Sequence, residues 1–368
     1  MTGHILILTN NIGGLHSFRK EVIKAIVDSG YKVTISAPDD DERKEYFKEI
    51  GCTVIRTRFN RRSINPFADL RLMLRYRQYI KQLRPTAVLT YTIKPNIYGG
   101  LACRLSGVPL LANITGLGDA IENGGWLQKL AINLYRIGIG KAKRVFFQNK
   151  SNQETCIRMG IADESSKLLP GSGVNLEYHL AQPYPQEQGV IKFLYMGRLL
   201  KDKGIEELFC AAEKVKSRHP NVEFLVLGDC EGNYQEELYR LQQEGIINHL
   251  GTTTDVRPYI GEVHCTIMPS YHEGMSNVNL ESAANARPVI TTDVPGCRET
   301  VDNKVTGLLV KAKDTESLIE AIEHFILLPY EERRKMGLAA REKMEKEFDR
   351  RIVIDAYIQE INDIRALS

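Results

Sequence analysis

Two stretches of this sequence place cations, carboxylates and glycines where a phosphate-bearing ligand could use them. The first is Gly197-Arg198-Leu199-Leu200-Lys201-Asp202-Lys203-Gly204, which follows an apolar run at 191–196 and opens a helical pattern. Gly197 permits a tight turn, Arg198 offers a planar fork to phosphate oxygens, and Lys203 adds a second charge at a helix start. Two cations and free amides at one strand end suit a pyrophosphate; a solvated basic turn is the plainer reading. The second stretch is Pro269-Ser270-Tyr271-His272-Glu273-Gly274-Met275-Ser276-Asn277-Val278-Asn279-Leu280-Glu281, again between an apolar strand and a helix. With a helix starting near Asn277, Glu281 sits about one turn in, where a carboxylate takes both hydroxyls of a ribose. Glu273, in the loop, is placed to hold sugar hydroxyls. Either glutamate alone also reads as a charge favoured by a helix dipole. A third, weaker signal is Asn10-Asn11-Ile12-Gly13-Gly14, a phosphate-type turn lacking the full GxGxxG spacing.

The elements that must position these residues alternate along the chain. Strand-like runs at 4–8, 32–37, 52–57, 86–90, 109–114 and 144–148 are separated by helical patterns near 15–29, 41–50, 67–83, 95–105 and 127–141. Residues 171–189 lose the period and collect Gly, Pro and Gln, which marks a linker. The alternation then restarts, with strands at 191–196, 222–227, 263–268, 288–291 and 307–310. Helical patterns lie at 203–218, 233–244, 278–286, 314–327 and 330–363. Such alternation predicts an α/β fold of two Rossmann-like, doubly wound parallel-sheet domains. The expected division is an N-terminal domain 1–170, a linker 171–189, a C-terminal domain 190–349, and a helix 350–368 permitted to cross back onto the first domain. Open α/β sheets bind ligands beyond their strand carboxyl ends, so the expected site is a cleft between facing domains.

The bulk numbers narrow the class. Residues 1–182 hold 26 Lys and Arg against 15 Asp and Glu, leaving 23 and 31 in the remainder, so the small net charge of +3 conceals a basic N-terminal half. That half predicts a polyanionic partner or, more blandly, clustering on solvated helices. The seven cysteines show no metal-ligand spacing and fit buried free thiols in a reducing cytoplasm. No apolar run reaches the roughly 18 residues that span a bilayer, and the start reads as a strand rather than a signal peptide. Asp39-Asp40-Asp41 reads as a solvated turn at a strand end.

The order GRLLKDKG, LGDCEGN, HLGTTTDVRPYI, MPSYHEGMSNVNLESAANARPVITTDVPGCRETV and GLLV resembles glycosyltransferase family 4 over essentially the whole chain, with Glu273 and Glu281 as its paired glutamates. The resemblance implies the GT-B architecture and a retaining, metal-independent hexosyltransferase using a UDP-sugar as co-substrate, without a cofactor. Arg198 and Lys203 would neutralise the departing diphosphate, Glu281 would bind ribose, and Glu273 would hold the donor sugar. Gly13, Gly14, Gly197 and Asp229 would line the donor site. The amides of Gly274, Met275, Ser276 and Asn277 would cradle sugar and phosphate, and the loop of Thr254, Val256 and Arg257 would face the base. Within the family the N-terminal half is similar to capsule, exopolysaccharide and glycan-assembly enzymes that extend undecaprenyl-diphosphate-linked sugars, with galacturonosyl- and N-acetylgalactosaminyltransferases among them. The carrying residues are His16-Ser17-Phe18-Arg19, Thr92-Ile93-Lys94-Pro95-Asn96-Ile97-Tyr98-Gly99 and Asn113-Ile114-Thr115-Gly116-Leu117-Gly118. They imply acceptor contacts from His16, Arg19, Lys94, Thr115 and Gly116, with a His of many relatives replaced at Thr115-Gly116.

Between 56 and 84 lie nine basic residues and one acid, Asp69, interleaved with Leu70, Leu72, Met73, Leu74, Tyr76, Tyr79, Ile80 and Leu83. A basic amphipathic helix lies well on an anionic leaflet, so this segment predicts peripheral attachment to the inner face of the cell membrane; an ordinary sheet-packing helix is the alternative. Nucleic acid is not an expected partner, because the tyrosines sit in apolar stripes rather than as stacking platforms. A donor with another nucleotide, a soluble acceptor, an epimerase of similar architecture and a non-catalytic polyanion- or membrane-binding protein remain as rivals.

Overall fold

Apolar runs of four to six residues become strands buried on both faces, as crossover-covered parallel sheets require. In the computed structural model, which describes residues 3–39, 41–61, 65–116, 125–186, 189–230 and 233–367, the chain divides into two compact units. One comprises Met1–Ser172 with Arg351–Ser368, the other Gly173–Arg350.

The first unit is a seven-stranded parallel sheet in the order β3-β2-β1-β4-β5-β6-β7. Its strands are β1 (His4–Leu8), β2 (Lys32–Ala37), β3 (Thr53–Arg56), β4 (Ala87–Tyr91), β5 (Leu110–Ile114), β6 (Arg144–Phe147) and β7 (Lys167–Leu168). β1 pairs with β2 on one side and β4 on the other, so the strand order reverses at β1/β4. The C-terminal helix Arg350–Ala366 supplies Val353, Tyr357, Ile361 and Ile364 to the same core as Ile5, Ile7, Leu111 and Phe146. Its buried Glu360 pairs with Arg144 at 2.9 Å and Lys167 at 2.6 Å.

The second unit repeats the plan with six parallel strands in the order β10-β9-β8-β11-β12-β13. These are β8 (Ile191–Met196), β9 (Val222–Leu227), β10 (Ile247–His249), β11 (Cys265–Met268), β12 (Val289–Thr292) and β13 (Gly307–Val310). Here the order reverses at β8/β11. The aperiodic stretch after Ser172 is held to this unit: the fully buried Arg287 gives its guanidinium to the carbonyls of Gln182 and Pro183, among others. The expected helical run 330–363 is instead two helices, Tyr330–Glu347 and Arg350–Ala366, because Val174 pairs with Asp349 as a short bridge and breaks the run there.

All seven cysteines are free, five of them buried. Among the described residues no helix is long and apolar enough to cross a membrane.

Candidate functional site

In each unit many of the residues singled out by sequence lie in loops that follow strands flanking the point where strand order reverses. In the second unit this is the carboxyl edge of β8 and β11. Gly197 ends β8 with φ +153° and Gly228 ends β9 with φ +154°. A Cβ on Gly228 would stand 1.8 Å from the Gly197 carbonyl oxygen, so the two backbones touch where side chains would not fit. Leu199 N donates to the Asp229 carbonyl at 2.9 Å, tying the Arg198 loop to the loop after β9. The Tyr195 hydroxyl donates to the Arg198 carbonyl at 2.8 Å. A single 3₁₀ turn, Lys201–Lys203, then leads through Gly204 (φ +72°) into the helix Ile205–Arg218.

The Asp202 carbonyl fastens this loop to the next. It accepts from Tyr271 N at 2.9 Å and from the Ser270 hydroxyl at 3.2 Å. A Cβ on Gly204 would lie 2.1 Å from the Pro269 carbonyl oxygen. This close approach brings Lys203 Nζ to 2.7 Å from a Glu273 carboxylate oxygen, with the two side chains 18% and 16% exposed. The loop after β12 closes the third side: Ser276 N donates to the Gly296 carbonyl at 2.7 Å, and Gly296 (φ +83°) leaves no room for a Cβ beside the Glu273 carbonyl.

Ser276 caps the helix Asn277–Ala284 by accepting from Asn279 N. Met275 is buried under the loop, and Asn279 is anchored to Thr291 and Thr300 at 3.2 and 3.0 Å. Glu281, four residues after Asn277, shares its face of the helix. Burial pushes the Glu281 carboxyl up to about 7, with Arg350 opposing. Among the described residues no donor meets that carboxylate. The arrangement offers two cations, one partly shielded ion pair and one carboxyl whose hydrogen bonds are open to a ligand.

The structure separates the remaining second-unit candidates. Thr254 is exposed. Arg257 is held by Asp255 through Nε at 2.8 Å and Nη2 at 2.7 Å, and its guanidinium lies 3.7 Å from the Tyr178 ring centroid. The same guanidinium holds the Asp255 carboxyl below its ordinary range.

In the first unit the carboxyl edges of β1 and β4 carry the motifs. Asn11 caps the helix Ile12–Asp28 by accepting from Gly14 N at 3.1 Å. The Ile12 amide, free at a helix start, donates to the Asp39 carboxylate at 3.2 Å, and Arg61 approaches the same carboxylate at 3.2 Å. The Arg43 guanidinium lies where a Cβ on Gly13 would be and pairs with Asp41 at 2.5 Å. The solvated turn expected at 39–41 is therefore corrected for Asp39, whose carboxylate closes on the helix start, while Asp41 stays in an exposed turn paired with Arg43; Asp40 lies outside the described residues. His16 stacks edge-on to Tyr46 with centroids 5.1 Å apart, and burial lowers its pKa.

After β4, Thr92 adopts φ +76°, a left-handed conformation that costs a β-branched residue about 1–3 kcal/mol. A π-helical turn, Pro95–Gly99, follows; such turns concentrate at functional positions. Asn96 is buried and bonds both Thr90 at 2.7 Å and the Asn113 carbonyl at 2.8 Å. Lys94 pairs with Asp69 at 2.6 Å, and Tyr98 donates to the other Asp69 oxygen at 2.9 Å. Thr115 and Gly116 follow β5 and are half-buried; Leu117 and Gly118 lie outside the described residues.

The basic segment is only partly the amphipathic surface expected. Of its apolar residues Leu72, Tyr76, Tyr79 and Ile80 pack into the core, since they fall on the inward stripe of the helix Pro66–Leu83. Phe67, Leu70 and Leu74 remain 78%, 51% and 51% exposed. A cavity of about 480 Å³ is lined by Arg56, Arg58, Arg71 and Arg75 together with Phe59 and Leu72. Arg62 lies outside the described residues.

Two family profiles match this chain: "Glycosyl transferase 4-like domain" over residues 13–170 and "Glycosyl transferases group 1" over residues 180–343. The chain belongs to the family 4 glycosyltransferases. This glycosyltransferase is 25% identical over 362 residues to the Campylobacter jejuni N,N'-diacetylbacillosaminyl-diphospho-undecaprenol alpha-1,3-N-acetylgalactosaminyltransferase, with 94% of each chain covered. It is 27% identical over 337 residues to the capsular polysaccharide biosynthesis glycosyltransferase CapM of Staphylococcus aureus, with 87% of each covered. Among solved structures, HepE from Anabaena in complex with UDP superposes with a TM-score of 0.80 at 19% identity, over 99% of this chain and 100% of that one. The fold of the glycosyltransferase is thus GT-B.

Several residues that build its edges escape a reading of sequence. Asp202 contributes only a carbonyl, and Gly228 and Gly296 only the absence of a side chain. Asn113 and Tyr357 meet across 244 residues of chain separation. The one available signal is that Gly228 directly follows an apolar strand, inside the LGDC run.

Proposed function

We propose that this glycosyltransferase transfers a sugar, with retention of anomeric configuration, from a UDP-sugar to a lipid-diphosphate-linked glycan during assembly of a bacterial surface polysaccharide. The observation that supports the reading is the Lys203–Glu273 pair in the loops after β8 and β11, at the strand reversal where open α/β sheets hold nucleotides, with Arg198 in the first loop and Glu281 on the helix after the second. Arg198 and Lys203 stabilise the departing diphosphate, supplying the positive charge that a divalent cation supplies elsewhere. Glu281 accepts the ribose hydroxyls and Glu273 orients the donor sugar. The transition state has oxocarbenium character, as in glycoside hydrolysis. The leaving phosphate takes the acceptor proton on the face it departs from, so no side chain need act as base. Orientation supplies the rest of the acceleration.

The acceptor class is supported by the undecaprenol-linked substrate in the name of the Campylobacter relative and the capsular role in the name of CapM. Membrane attachment on the inner face is supported by the four-arginine cavity and by the exposed Phe67, Leu70 and Leu74 of the helix Pro66–Leu83. Lys94 and Tyr98 engage the one acid of that helix, which leaves its outer face basic.

Thermal-shift titration with UDP, GDP, ADP and TDP, each with and without EDTA, tests the donor assignment. A rise in Tm with UDP that EDTA leaves intact supports it. A rise with another nucleotide changes the donor, and no rise with any nucleotide overturns the reading in favour of a polyanion-binding protein.

A further inference from the structure

The helices on one face of the first sheet have an outer side unlike the rest of the surface. Gly100–Ser106 packs against both Pro66–Leu83 and Gly125–Ile139. The inward residues of the three, among them Leu72, Tyr76, Ala102, Cys103, Tyr135 and Ile139, enter one core cluster, so their opposite sides face away from the same core. On those outer sides Leu105, Leu130 and Ile137 are 54%, 40% and 47% exposed, in addition to Phe67, Leu70 and Leu74. Single exposed leucines are ordinary; large apolar side chains exposed on each of three adjoining helices call for a partner.

The charge on these helices is equally one-sided. The sequence has no Asp or Glu from 70 to 118 or from 123 to 153. Among the described residues of the three helices the only acid is Asp69, which is buried and held by Lys94 and Tyr98. Arg71, Arg75, Arg104, Lys129 and Arg136 are exposed. The second unit shows how this protein builds a solvated helix face, with both signs present and paired. There Arg218 meets Glu323 at 3.0 Å, Arg240 meets Glu213 at 2.6 Å, and Lys214 pairs with Glu316. Gly125–Ile139 has no such balance. Its Leu130 and Ile137 are seven residues apart and so share one side of the helix. Lys129 adjoins the first and Arg136 the second, with Arg136 fixed by a bond from Nε to the Met159 carbonyl at 2.7 Å.

We propose that the helix Gly125–Ile139 is a second membrane-docking element, whose Leu130 and Ile137 enter the acyl boundary of an anionic leaflet while Lys129 meets its headgroups. The inference rests on the membrane reading given above and extends it beyond the basic segment 56–84 to a helix that segment does not contain. Exposed aliphatic side chains flanked by cations, with no acid among them, match a surface that is apolar inside and negative at its boundary. A second copy of this chain fits less well, because a two-fold contact through this face would set like charges against each other.

Flotation of the full chain with vesicles of equimolar phosphatidylglycerol and phosphatidylcholine, at low and high salt, tests this. Leu130→Gln with Ile137→Gln keeps good helix formers at both positions and should lower partitioning at least about tenfold while the variant still folds and responds to UDP. That loss should persist at high salt, because salt does not screen apolar insertion. Lys129→Glu should weaken partitioning at low salt and approach wild type as salt rises; it carries the test should the double variant unfold. Wild-type partitioning in Lys129→Glu and in a folded Leu130→Gln, Ile137→Gln variant, with Arg71→Glu and Arg75→Glu together still defective, overturns the second element and leaves the membrane reading standing. Wild type that does not float with these vesicles overturns both. A wild-type dimer that Leu130→Gln with Ile137→Gln converts to monomer, at unchanged vesicle binding, assigns the face to a second copy and overturns the proposal.

Discussion

Replacing Glu273 with Gln should tighten the binding of free UDP while slowing sugar transfer. Lys203 Nζ is 2.7 Å from the Glu273 carboxylate, and both side chains are more than four-fifths shielded. An incoming diphosphate must therefore draw Lys203 away from a carboxylate that already holds it. Gln keeps the shape and still accepts a hydrogen bond, but it removes the competing charge. Discounted for residual solvent screening, a pair of this kind is worth about 1–2 kcal/mol. Released to the ligand, that corresponds to a roughly five- to thirtyfold lower Kd for UDP. The carboxylate that orients the donor sugar is lost at the same time, so kcat falls. Isothermal calorimetry with UDP in EDTA, alongside steady-state kinetics, measures both effects. In Lys203→Ala the Glu273→Gln gain should vanish, because the two residues then have no interaction to remove. Unchanged or weaker UDP binding by Glu273→Gln would refute the argument that the pair competes with the ligand.

Three other perturbations follow from the same geometry. Arg198→Ala and Lys203→Ala should each lose most turnover while still folding, Lys203→Ala with Tm lowered only by the lost pair with Glu273, and wild-type rates in either variant would remove that residue from the diphosphate site. Burial lifts the Glu281 carboxyl from 4.5 to about 7. The native chain thus keeps a proton that the unfolded chain has released between those pH values, and stability falls as pH rises through that window. Glu281→Gln should flatten this part of a Tm-against-pH profile; an unaltered slope would contradict the raised pKa. Arg71→Glu with Arg75→Glu should cost at least about tenfold in partitioning to phosphatidylglycerol vesicles at low salt, since each basic residue near the surface is worth about 1 kcal/mol. Equal sedimentation of variant and wild type with the vesicles would exclude this face as the contact.

Much of the architecture is legible in the sequence because a doubly wound sheet needs only apolar runs that alternate with helical stripes. What is lost is short or partner-dependent. β7, with two residues, and β10, with three, are too brief to show a period. The helix Lys150–Arg158 buries only Cys156 and so carries no apolar stripe. The break before the last helix comes from Val174, which lies 175 residues from the Asp349 it pairs with. The candidate site divides in the same way. The glycine-flanked cations and the spaced glutamates are local patterns, and Lys203 and Glu273 meet at one strand reversal. The engagement of Lys94 by Asp69, of the Ile12 amide by Asp39 and of Arg257 by Tyr178 joins loops distant in sequence, and no residue spacing announces it. Leu72 and Leu74 differ by one inward and one outward turn of the same helix, which is why the apolar stripe of 67–83 overstates the exposed surface.

Mass spectrometry of a lipid-diphosphate-linked sugar acceptor, incubated with the enzyme and a panel of UDP-sugars in EDTA, tests the central claim most directly. The account predicts a mass gain of one sugar residue from at least one donor, lost in both Arg198→Ala and Lys203→Ala. No gain with any UDP-sugar, or a gain that appears only when a divalent metal is restored, would contradict it.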